Sequence, residues 1–422
     1  MKMKGWRRLF FCIALLAGSV FYATLVIRSV AGQWFLLRPT AENLERGMRW
    51  VPGNSAIWAE HARQWLFHPD ASELQTSADA YLQAVSLNPL NFWNWTGLAD
   101  AYLGMGDTAK AEEALRAGLA AAPHSPNAAW RLANLLVLAD RLPEAMPYFR
   151  TAATYDRPLR FAVYDLAWKL LDNPDTILQE IVPPGVEARQ DYLQDLLRRG
   201  QLSEAYPVWK EIQPAKTTTV LRLGKNYVRA LAFSGMGPVA SRVWEEWLAA
   251  AGRTGKKTAG DLLTDGSFED GFINGGLEWN LEKGPAFQIA LDEFVFQSGT
   301  RSLRVNFDGK SNPAFQGVWQ AVPVEPDRRY RFEGYLKTEN ITSDSGPFFF
   351  VGNLGALPGE TLNLSTKVHI GSTGWTRETL DFRTGPRTTV ITVSLRRRQS
   401  TKLNNLLGGK VWIDNLSLEP LD

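Results

Sequence analysis

The chain has 422 residues, which is more than a single ordinary hydrophobic core accommodates, so two or three domains are expected. It carries 46 basic and 44 acidic residues, which gives a formal net charge of +2. This balance, together with the lack of base-stacking motifs in basic grooves, excludes a strong electrostatic attraction to nucleic acid. The 16 Trp and 21 Phe side chains supply core volume and flat binding surfaces.

The first 34 residues predict a membrane anchor. Residues 9–27 carry no charged side chain and are near the length that crosses a bilayer as a helix. Four basic residues precede this run: Lys2, Lys4, Arg7 and Arg8. Because only Arg28 and Arg38 follow it closely, we expect the N-terminus in the cytoplasm, one pass through the inner (cytoplasmic) membrane, and the bulk of the chain in the periplasm or outside the cell.

A cleaved signal peptide is the alternative for this segment, since Ala17, Gly18 and Ser19 offer small residues at a cleavage site. The apolar run continues beyond that point, which favours an uncleaved anchor. The single cysteine, Cys12, lies within the run and is interpreted as a small apolar filler. Disulfides and thiolate metal sites are therefore excluded from the rest of the chain.

Helical periodicity follows a juxtamembrane linker or short helix, which we expect at residues 35–54. The stretch 95–123 reads WTGLADAYLGMGDTAKAEEALRAGLAAAP. Its apolar residues recur three or four positions apart, so they share one face on each of two helices. The positions are Trp95, Leu98, Ala99, Tyr102, Ala111, Leu115 and Pro123. This spacing resembles the tetratricopeptide repeat, whose unit is a helical hairpin.

One hairpin cannot bury its apolar faces alone, so neighbours with the same period are expected. A shift of 34 residues from Phe92 reaches Pro126 and a second matching unit, and an earlier unit fits if residues 68–70 are a small insertion. After Pro158 the pattern weakens, and clearer units follow. The resemblance implies an α-solenoid of about six hairpins over residues 55–251.

In such arrays the first helix of each repeat lines a concave surface, which we expect to bind protein partners. Carried over by position, six residues would line it: Trp93, Asp100, Trp130, Asn134, Gln190 and Gln194. Asn134 resembles part of the family's carboxylate clamp, but the basic partners of that clamp are missing. The sequence therefore lacks the complete clamp that captures a peptide C-terminus. The alternative is that these side chains are solvated or packed on one another.

Composition changes after residues 252–260, which are polar and small and predict a flexible linker. Short segments then alternate apolar and polar residues, as in SLRVNF at residues 302–307, so that one strand face meets a core and the other meets water. About nine or ten such strands predict a two-sheet β-sandwich of jelly-roll type over residues 261–422. The fold class is multidomain α and β: a transmembrane helix, an α-solenoid and a β-sandwich.

Six local motifs follow one another in this last domain: residues 262–269, Trp279, and residues 298–305, 330–338, 373–375 and 412–418. Together they resemble a non-catalytic carbohydrate-binding module of the galactose-binding-like fold. In that family the first and last strands often share a structural Ca²⁺ ion, and the resemblance implies Glu269 and Asp414 as its ligands. The alternative is that Glu269 caps a turn and Asp414 accepts backbone hydrogen bonds. No cofactor is otherwise required.

Aromatic rings that stack on pyranose faces carry sugar binding in such modules. The candidates are Trp319, Tyr335, Phe348, Phe349 and Phe350. Since alternate residues of a strand point to opposite faces, at least one of the three phenylalanines is expected to be exposed. For any single aromatic residue the alternative is a core position.

The densest basic cluster is Arg396, Arg397 and Arg398, with Lys402 nearby. Alternation sends Arg396 and Arg398 to one strand face and Arg397 to the other. The pair could meet sulfate, carboxylate or phosphate on an acidic glycan or lipid. The alternative is a solvated strand end.

Catalytic patterns are not found in the sequence. The four histidines lack metal-ligand spacing, and no nucleophile triad or nucleotide loop is present. Glu269 and Asp270 are neighbours in a turn and cannot straddle a glycosidic bond. We therefore expect no enzyme activity, and an envelope hydrolase or transferase is the least favoured function.

The combined features predict a membrane-anchored scaffold. Its repeats would bind protein partners and its β-sandwich would contact glycan or envelope components, in exopolysaccharide or cell-envelope assembly. The alternative is a glycan-capture module in which the repeats serve as a spacer from the membrane.

Overall fold

The computed structural model describes residues 3–66, 71–253, 260–355 and 359–421. These residues form two compact units that divide between Pro184 and Gly185. The expected insertion at residues 68–70 and most of the expected linker, residues 254–259, lie outside the described residues, as does Lys2. The domain boundaries given above stay a prediction.

The first unit is helical. Its helices are α1 (Met3–Leu37), α2 (Ala41–Trp50), α3 (Ser55–Trp65), α4 (Ala71–Leu87), α5 (Phe92–Gly104), α6 (Thr108–Ala121), α7 (Pro126–Leu138), α8 (Leu142–Tyr155), α9 (Arg157–Leu171) and α10 (Pro174–Thr176), which continues as a π-helical turn at Ile177–Ile181.

Helix α1 is long and apolar enough to cross a membrane over Leu9–Leu37, by length and composition; a signal sequence near an N-terminus passes the same test. Its last turns are not isolated, because Phe35 forms a small core with Leu44 of α2 and Ile57 of α3. The juxtamembrane residues are thus partly helical. Helix α3 is capped by Asn54, whose Oδ1 atom accepts the Ala56 N–H at 3.0 Å.

The repeat period is visible in the helix starts. Helices α5 and α7 begin at Phe92 and Pro126, and α6 and α8 begin at Thr108 and Leu142, so that each pair of starts is 34 residues apart. The two hairpins pack through small buried side chains, among them Ala99, Ala111 and Gly118. A Cβ atom added at Gly118 would lie only 2.9 Å from the Trp95 Cβ atom, which shows how closely the paired helices approach.

The second unit begins with four more helices and continues into the β-sandwich. The helices are α11 (Val186–Arg199), α12 (Ala205–Ile212), α13 (Thr218–Phe233) and α14 (Gly237–Ala250). The strands are β1 (Asn280–Leu281), β2 (Phe287–Asp292), β3 (Ser302–Asp308), β4 (Phe315–Pro323), β5 (Arg329–Ile341), β6 (Phe348–Asn353), β7 (Asn363–Ser365), β8 (Gly371–Arg383), β9 (Val390–Arg397) and β10 (Gly408–Leu421).

The ten strands form two antiparallel five-stranded sheets. We call the sheet with strand order β1-β4-β9-β6-β7 the front sheet, and the sheet with order β2-β3-β10-β5-β8 the back sheet. Their inward residues share one core, which includes Val318 and Val393 of the front sheet and Leu303 and Ile413 of the back sheet. The predicted two-sheet sandwich is confirmed by this topology.

The last helical hairpin, α13–α14, packs directly on the front sheet side of the sandwich. The Gly237 N–H donates to Thr389 Oγ1 at 3.2 Å, and a Cβ atom at Gly237 would lie 2.2 Å from the Thr389 carbonyl oxygen. The Trp244 ring lies against Gly276, where an added Cβ atom would be 2.2 Å from the ring. These close approaches allow helix α13 to form one wall of the cleft described next.

Candidate functional site

The outer face of the front sheet holds a row of side chains set by strand register. Trp319 of β4 and Phe350 of β6 both pair with Ser394 of the intervening strand β9, and Asn280 of β1 pairs with Trp319 on the other side. The flanking residue Val318 belongs to the core, so Trp319 points away from it. The Trp319 indole is partly exposed, and its Nε1–H donates to Glu282 Oε1 at 3.4 Å.

The expectation that one of the three phenylalanines is exposed is wrong. Phe349 lies in the sandwich core, and Phe348 and Phe350 on the outer face are only 2% and 8% exposed. The reason is the basic cluster on the neighbouring strand: the Arg396 guanidinium lies 3.4 Å from the centre of the Phe350 ring, and that of Arg398 lies 5.3 Å from the Phe348 ring.

Tyr335 lies on the back sheet. It is partly exposed on β5, where it pairs with Asp414 of β10 and Arg377 of β8. The candidate sugar-binding aromatics therefore do not form one surface. Trp319, Phe348 and Phe350 share the outer face of the front sheet, Phe349 is internal, and Tyr335 belongs to the other sheet.

Two adjoining hollows flank Trp319, and together we call them the front cleft. The first has a volume of about 290 Å³ and the second about 230 Å³. Arg229, Glu282 and Trp319 line both hollows, so these three residues mark the place where the hollows meet. The Arg229 guanidinium lies 5.7 Å from the centre of the Trp319 ring. The Phe233 ring also contacts Trp319, in an edge-to-face arrangement with the ring centres 5.8 Å apart.

Polar groups line the rest of the front cleft. The first hollow is lined on one side by α13 and on the other by the segment before β2, through Arg222, Lys225, Asn226, Asn274 and Asn280. The second hollow is lined mainly by the outer face of the sheet, through Gln316, Asn353, Thr392, Ser394 and Arg396. An aromatic ring beside amide, hydroxyl and guanidinium groups is a surface that can bind a polyhydroxylated ligand.

Helix α13 contributes residues that the sequence analysis missed. Arg222, Lys225 and Arg229 recur three and four positions apart and so share one helix face. This basic stripe is the sequence signal that could have indicated a binding face. The side chains meet the front sheet only because α13 packs on it.

The carboxylates proposed to bind calcium are brought together by one loop. Glu269 Oε1 accepts the N–H groups of Thr300 and Arg301 at 2.8 and 3.2 Å. Asp414 Oδ2 accepts the N–H groups of Gln297 and Ser298, also at 2.8 and 3.2 Å.

This environment does not fit the expected calcium ion. Calcium needs six to eight oxygen ligands, whereas N–H donors point at these carboxylates, and no group of three or more His, Cys, Asp or Glu in the described residues could hold a metal ion. Hydrogen bonds, chiefly from Thr300, lower the pKa of Glu269 against the opposing effect of burial. Burial raises the pKa of Asp414. The pair matches the alternative in which both carboxylates hold the loop by hydrogen bonds.

Asp265, in the same corner of the sandwich, predicts a pH-dependent stability. Burial raises its pKa to about 6, and its Oδ2 atom accepts no hydrogen bond from the described residues. The folded state binds a proton at Asp265 more tightly than the unfolded chain does. The contribution of Asp265 to the free energy of unfolding is therefore complete below about pH 4 and is lost as pH rises through 6. We expect Asp265→Asn to be more stable than the parent at pH 7, by on the order of 2 kcal/mol after allowance for partial exposure.

The measurement is thermal unfolding of the parent and Asp265→Asn between pH 4 and pH 7. Burial also raises the pKa of Glu278 nearby, so Glu278 contributes to the pH dependence of both proteins. The difference between the two curves removes that shared contribution and leaves the effect of Asp265. Equal stability of parent and variant at every pH would contradict the raised pKa.

In the first unit, the residues expected to line a groove on α5 and α7 are largely occupied by contacts within the chain. Asp100 forms an ion pair with Arg131. The Asn134 amide donates to the Trp130 carbonyl oxygen at 2.7 Å, and the Trp130 ring lies 5.7 Å from that of Phe149. Trp93 differs, because its side chain is 57% exposed at the start of α5.

Comparisons with known families agree with this helical geometry. One tetratricopeptide repeat model matches residues 103–162 and another matches residues 80–113. Residues 80–162 are tetratricopeptide repeats. The resemblance predicted from the stretch 95–123 is thereby confirmed.

Three similar solved structures each cover half of the chain or less. YrrB, a tetratricopeptide repeat protein with an unusual peptide-binding site, is 16% identical over 50% of this chain and 94% of its own, with a TM-score of 0.24. The CBM22-1 xylan-binding domain from Paenibacillus barcinonensis Xyn10C is 16% identical over 40% of this chain and 99% of its own, with a TM-score of 0.28.

A third similar structure is the enzymatically active domain of tailspike protein 4 from bacteriophage CBA120. It is 11% identical over 38% of this chain, which spans 22% of its length, with a TM-score of 0.28. No curated protein matches the sequence. The sandwich is defined by the topology of its own two sheets.

Four of the six predicted groove residues lie on helices of the tetratricopeptide repeats. Trp93, Asp100, Trp130 and Asn134 lie on α5 and α7, which are first helices of their repeats. Gln190 and Gln194 lie on α11 in the second unit, where Gln194 is exposed and the Gln190 amide is 3.5 Å from Thr217 Oγ1. Their role in binding a partner stays a prediction.

Proposed function

We propose that this protein is a membrane-anchored, non-catalytic adaptor whose sandwich binds glycan in the front cleft and whose tetratricopeptide repeats bind protein partners. The observation that carries the glycan part is the partly exposed Trp319 indole, set on the outer face of a five-stranded sheet among amide, hydroxyl and guanidinium groups. An indole supplies the flat apolar surface that a pyranose ring stacks on, and the polar groups can bond its hydroxyls.

The same geometry favours the adaptor over the alternative of a capture module held away by a spacer. Helix α13 lines the cleft through Arg222, Lys225 and Arg229, so the last helical hairpin supplies part of the binding surface. Repeats that served only as a spacer would not be expected to line the binding surface.

The location in the cell is also part of the proposal. The apolar helix α1 would cross the cytoplasmic membrane with its basic end inside, which leaves the repeats and the sandwich on the outer side. Glycan binding at that position fits exopolysaccharide or cell-envelope assembly. Protein binding by the repeats would use Trp93, the exposed large apolar residue of the predicted groove.

A glycan array with the full chain in detergent micelles tests the function. We expect selective binding to one class of glycan and a loss of affinity of at least tenfold in Trp319→Ala, because a buried aromatic contact at the centre of an interface typically contributes about 2 kcal/mol. Tyr335→Ala is the matched control, since it removes a partly exposed aromatic ring from the back sheet. Circular dichroism verifies that both variants fold.

Binding that survives Trp319→Ala but disappears in Tyr335→Ala would place the site on the back sheet. Absence of binding to any glycan would overturn the glycan part of the proposal and leave the repeats as the binding element.

A further inference from the structure

The front cleft is strongly basic, although the chain as a whole is nearly neutral. Among the described residues that line it, four side chains are cationic and one is anionic. The cations are Arg222, Lys225, Arg229 and Arg396, and the single carboxylate is Glu282. The lining therefore carries a formal charge of +3 within a protein whose net charge is +2.

These four cations are not neutralised by ion pairs with the described residues. Arg229 lies over the rings of Phe233 and Trp319, at 5.4 and 5.7 Å. The Lys225 ammonium group donates to the Asn274 carbonyl oxygen at 3.4 Å. Neither contact supplies a counter-charge, so both cations remain available to an anion.

Arg396 is held in the same way. Its Nε–H donates to Ser394 Oγ at 2.8 Å while the guanidinium covers Phe350. Burial lowers the pKa of Arg396 to about 10, and the charge of Arg398 adds to this effect. The guanidinium is thus charged at neutral pH but poorly solvated, and an incoming anion would compensate for the lost water.

The arrangement of the cations indicates the size of the ligand. Arg222 and Arg229 are seven residues apart on α13, which places them about 10 Å apart along the helix axis. Arg396 lines the second hollow from strand β9. A ligand that contacts all of them must carry several anionic groups along an extended body, as a polymer does.

We propose that the front cleft binds an acidic polysaccharide of the uronate class, in which each carboxylate is attached directly to a pyranose ring. This proposal rests on the proposed glycan-binding function and names its ligand class. One sugar ring stacks on Trp319, where the two hollows meet, and the carboxylates of this and neighbouring rings bind Arg229, Arg396 and the basic stripe of α13. Planar guanidinium groups suit carboxylates because they can donate two parallel hydrogen bonds.

The test uses the full chain in detergent micelles and three polyuronates: polygalacturonate, alginate and hyaluronan. Each polymer is paired with its carboxyl-reduced form, in which the acid is converted to a neutral hydroxymethyl group on the same ring. We expect at least one polyuronate to bind at least tenfold more tightly than its reduced form, and the affinity to fall as salt is raised, since salt screens exposed charges.

Variants locate the charge effect. Arg229→Gln and Arg396→Gln are each expected to weaken binding of the polyuronate at least fivefold while changing binding of the reduced polymer less than twofold. Arg329→Gln is the matched control, because Arg329 is an exposed arginine on the back sheet. Thermal unfolding of each variant shows whether the sandwich is intact.

The possible results separate the two proposals. Equal binding of a polyuronate and its reduced form would overturn the ligand class and leave glycan binding intact. Binding of no member of either set would overturn the ligand class, and the glycan array would then decide the function. Charge-selective binding that neither Arg229→Gln nor Arg396→Gln weakens would place the acidic glycan elsewhere and overturn the inference.

Discussion

Replacing Gly266 with Ala is expected to lower the free energy of unfolding of the sandwich by about 3 kcal/mol, which is at the upper end for added volume in a packed structure. A Cβ atom at this position would lie 1.8 Å from the carbonyl oxygen of Leu416. Backbone atoms cannot rotate away as a side chain can. The same two residues are joined by a hydrogen bond from the Leu416 N–H to the Gly266 carbonyl oxygen, at 2.9 Å. This bond connects the first motif of the sandwich to strand β10.

Gly374→Ala provides the matched control, since it makes the same change on strand β8 where no atom lies within 4 Å of the added Cβ. We expect it to change stability by less than about 0.5 kcal/mol. The measurement is differential scanning calorimetry of the full chain. Equal melting temperatures for the two variants would show that the first motif does not pack on β10 as described.

Arg397→Met is also expected to lower the free energy of unfolding of the sandwich by about 3 kcal/mol, because it removes buried hydrogen bonds. The side chain is 1% exposed, and its hydrogen bonds reach both the loop that holds Pro313 and the loop that holds Ser343 and Ser345. Its Nε–H donates to the Ser345 carbonyl oxygen at 2.8 Å, Nη1 donates to that of Pro313 at 2.7 Å, and Nη2 donates to Ser343 Oγ at 3.0 Å. Methionine fills a similar volume but leaves these acceptors without donors, and each buried unsatisfied group costs about 1–3 kcal/mol.

The neighbouring residue supplies the comparison for Arg397. Arg398 is exposed and rests on the Phe348 ring, so Arg398→Met should cost less than about 0.5 kcal/mol. For a domain of this size, 1 kcal/mol shifts the melting temperature by about 2–4 °C, so the two variants should differ by roughly 5–10 °C. A smaller penalty for Arg397→Met than for Arg398→Met would contradict the buried network.

The sequence predicted those features that depend on local periodicity. The 34-residue spacing from Phe92 to Pro126 places two hairpins correctly, because each helix needs its apolar face covered by the next repeat. Alternation also assigned Arg396 and Arg397 to opposite faces of their strand, because the pleat of a strand fixes which way successive side chains point.

What the sequence did not predict depends on contacts between distant segments. Alternation alone could not show that Arg396 and Arg398 would cover Phe350 and Phe348, because those residues meet only through strand pairing. It also gave no sign that α13 would pack on the front sheet and bring Arg229 to Trp319. The candidate site could therefore be predicted in part, through Trp319 and the arginine cluster.

The calcium expectation shows the limit of carrying residues over from a resemblance. Glu269 and Asp414 do come together from opposite ends of the sandwich, as the motif order implied. The loop between them decides their role, because its N–H groups at Gln297 to Arg301 occupy the carboxylate oxygens. Loop backbone geometry of this kind is not encoded in residue type.

The measurement that tests this account most directly is an experimental structure of the full chain with a bound uronate oligosaccharide. We predict a pyranose ring against the Trp319 indole, with a carboxylate hydrogen-bonded to Arg229 or Arg396. An oligosaccharide bound on the back sheet around Tyr335, or a front cleft that stays closed to sugar while binding occurs elsewhere, would contradict it.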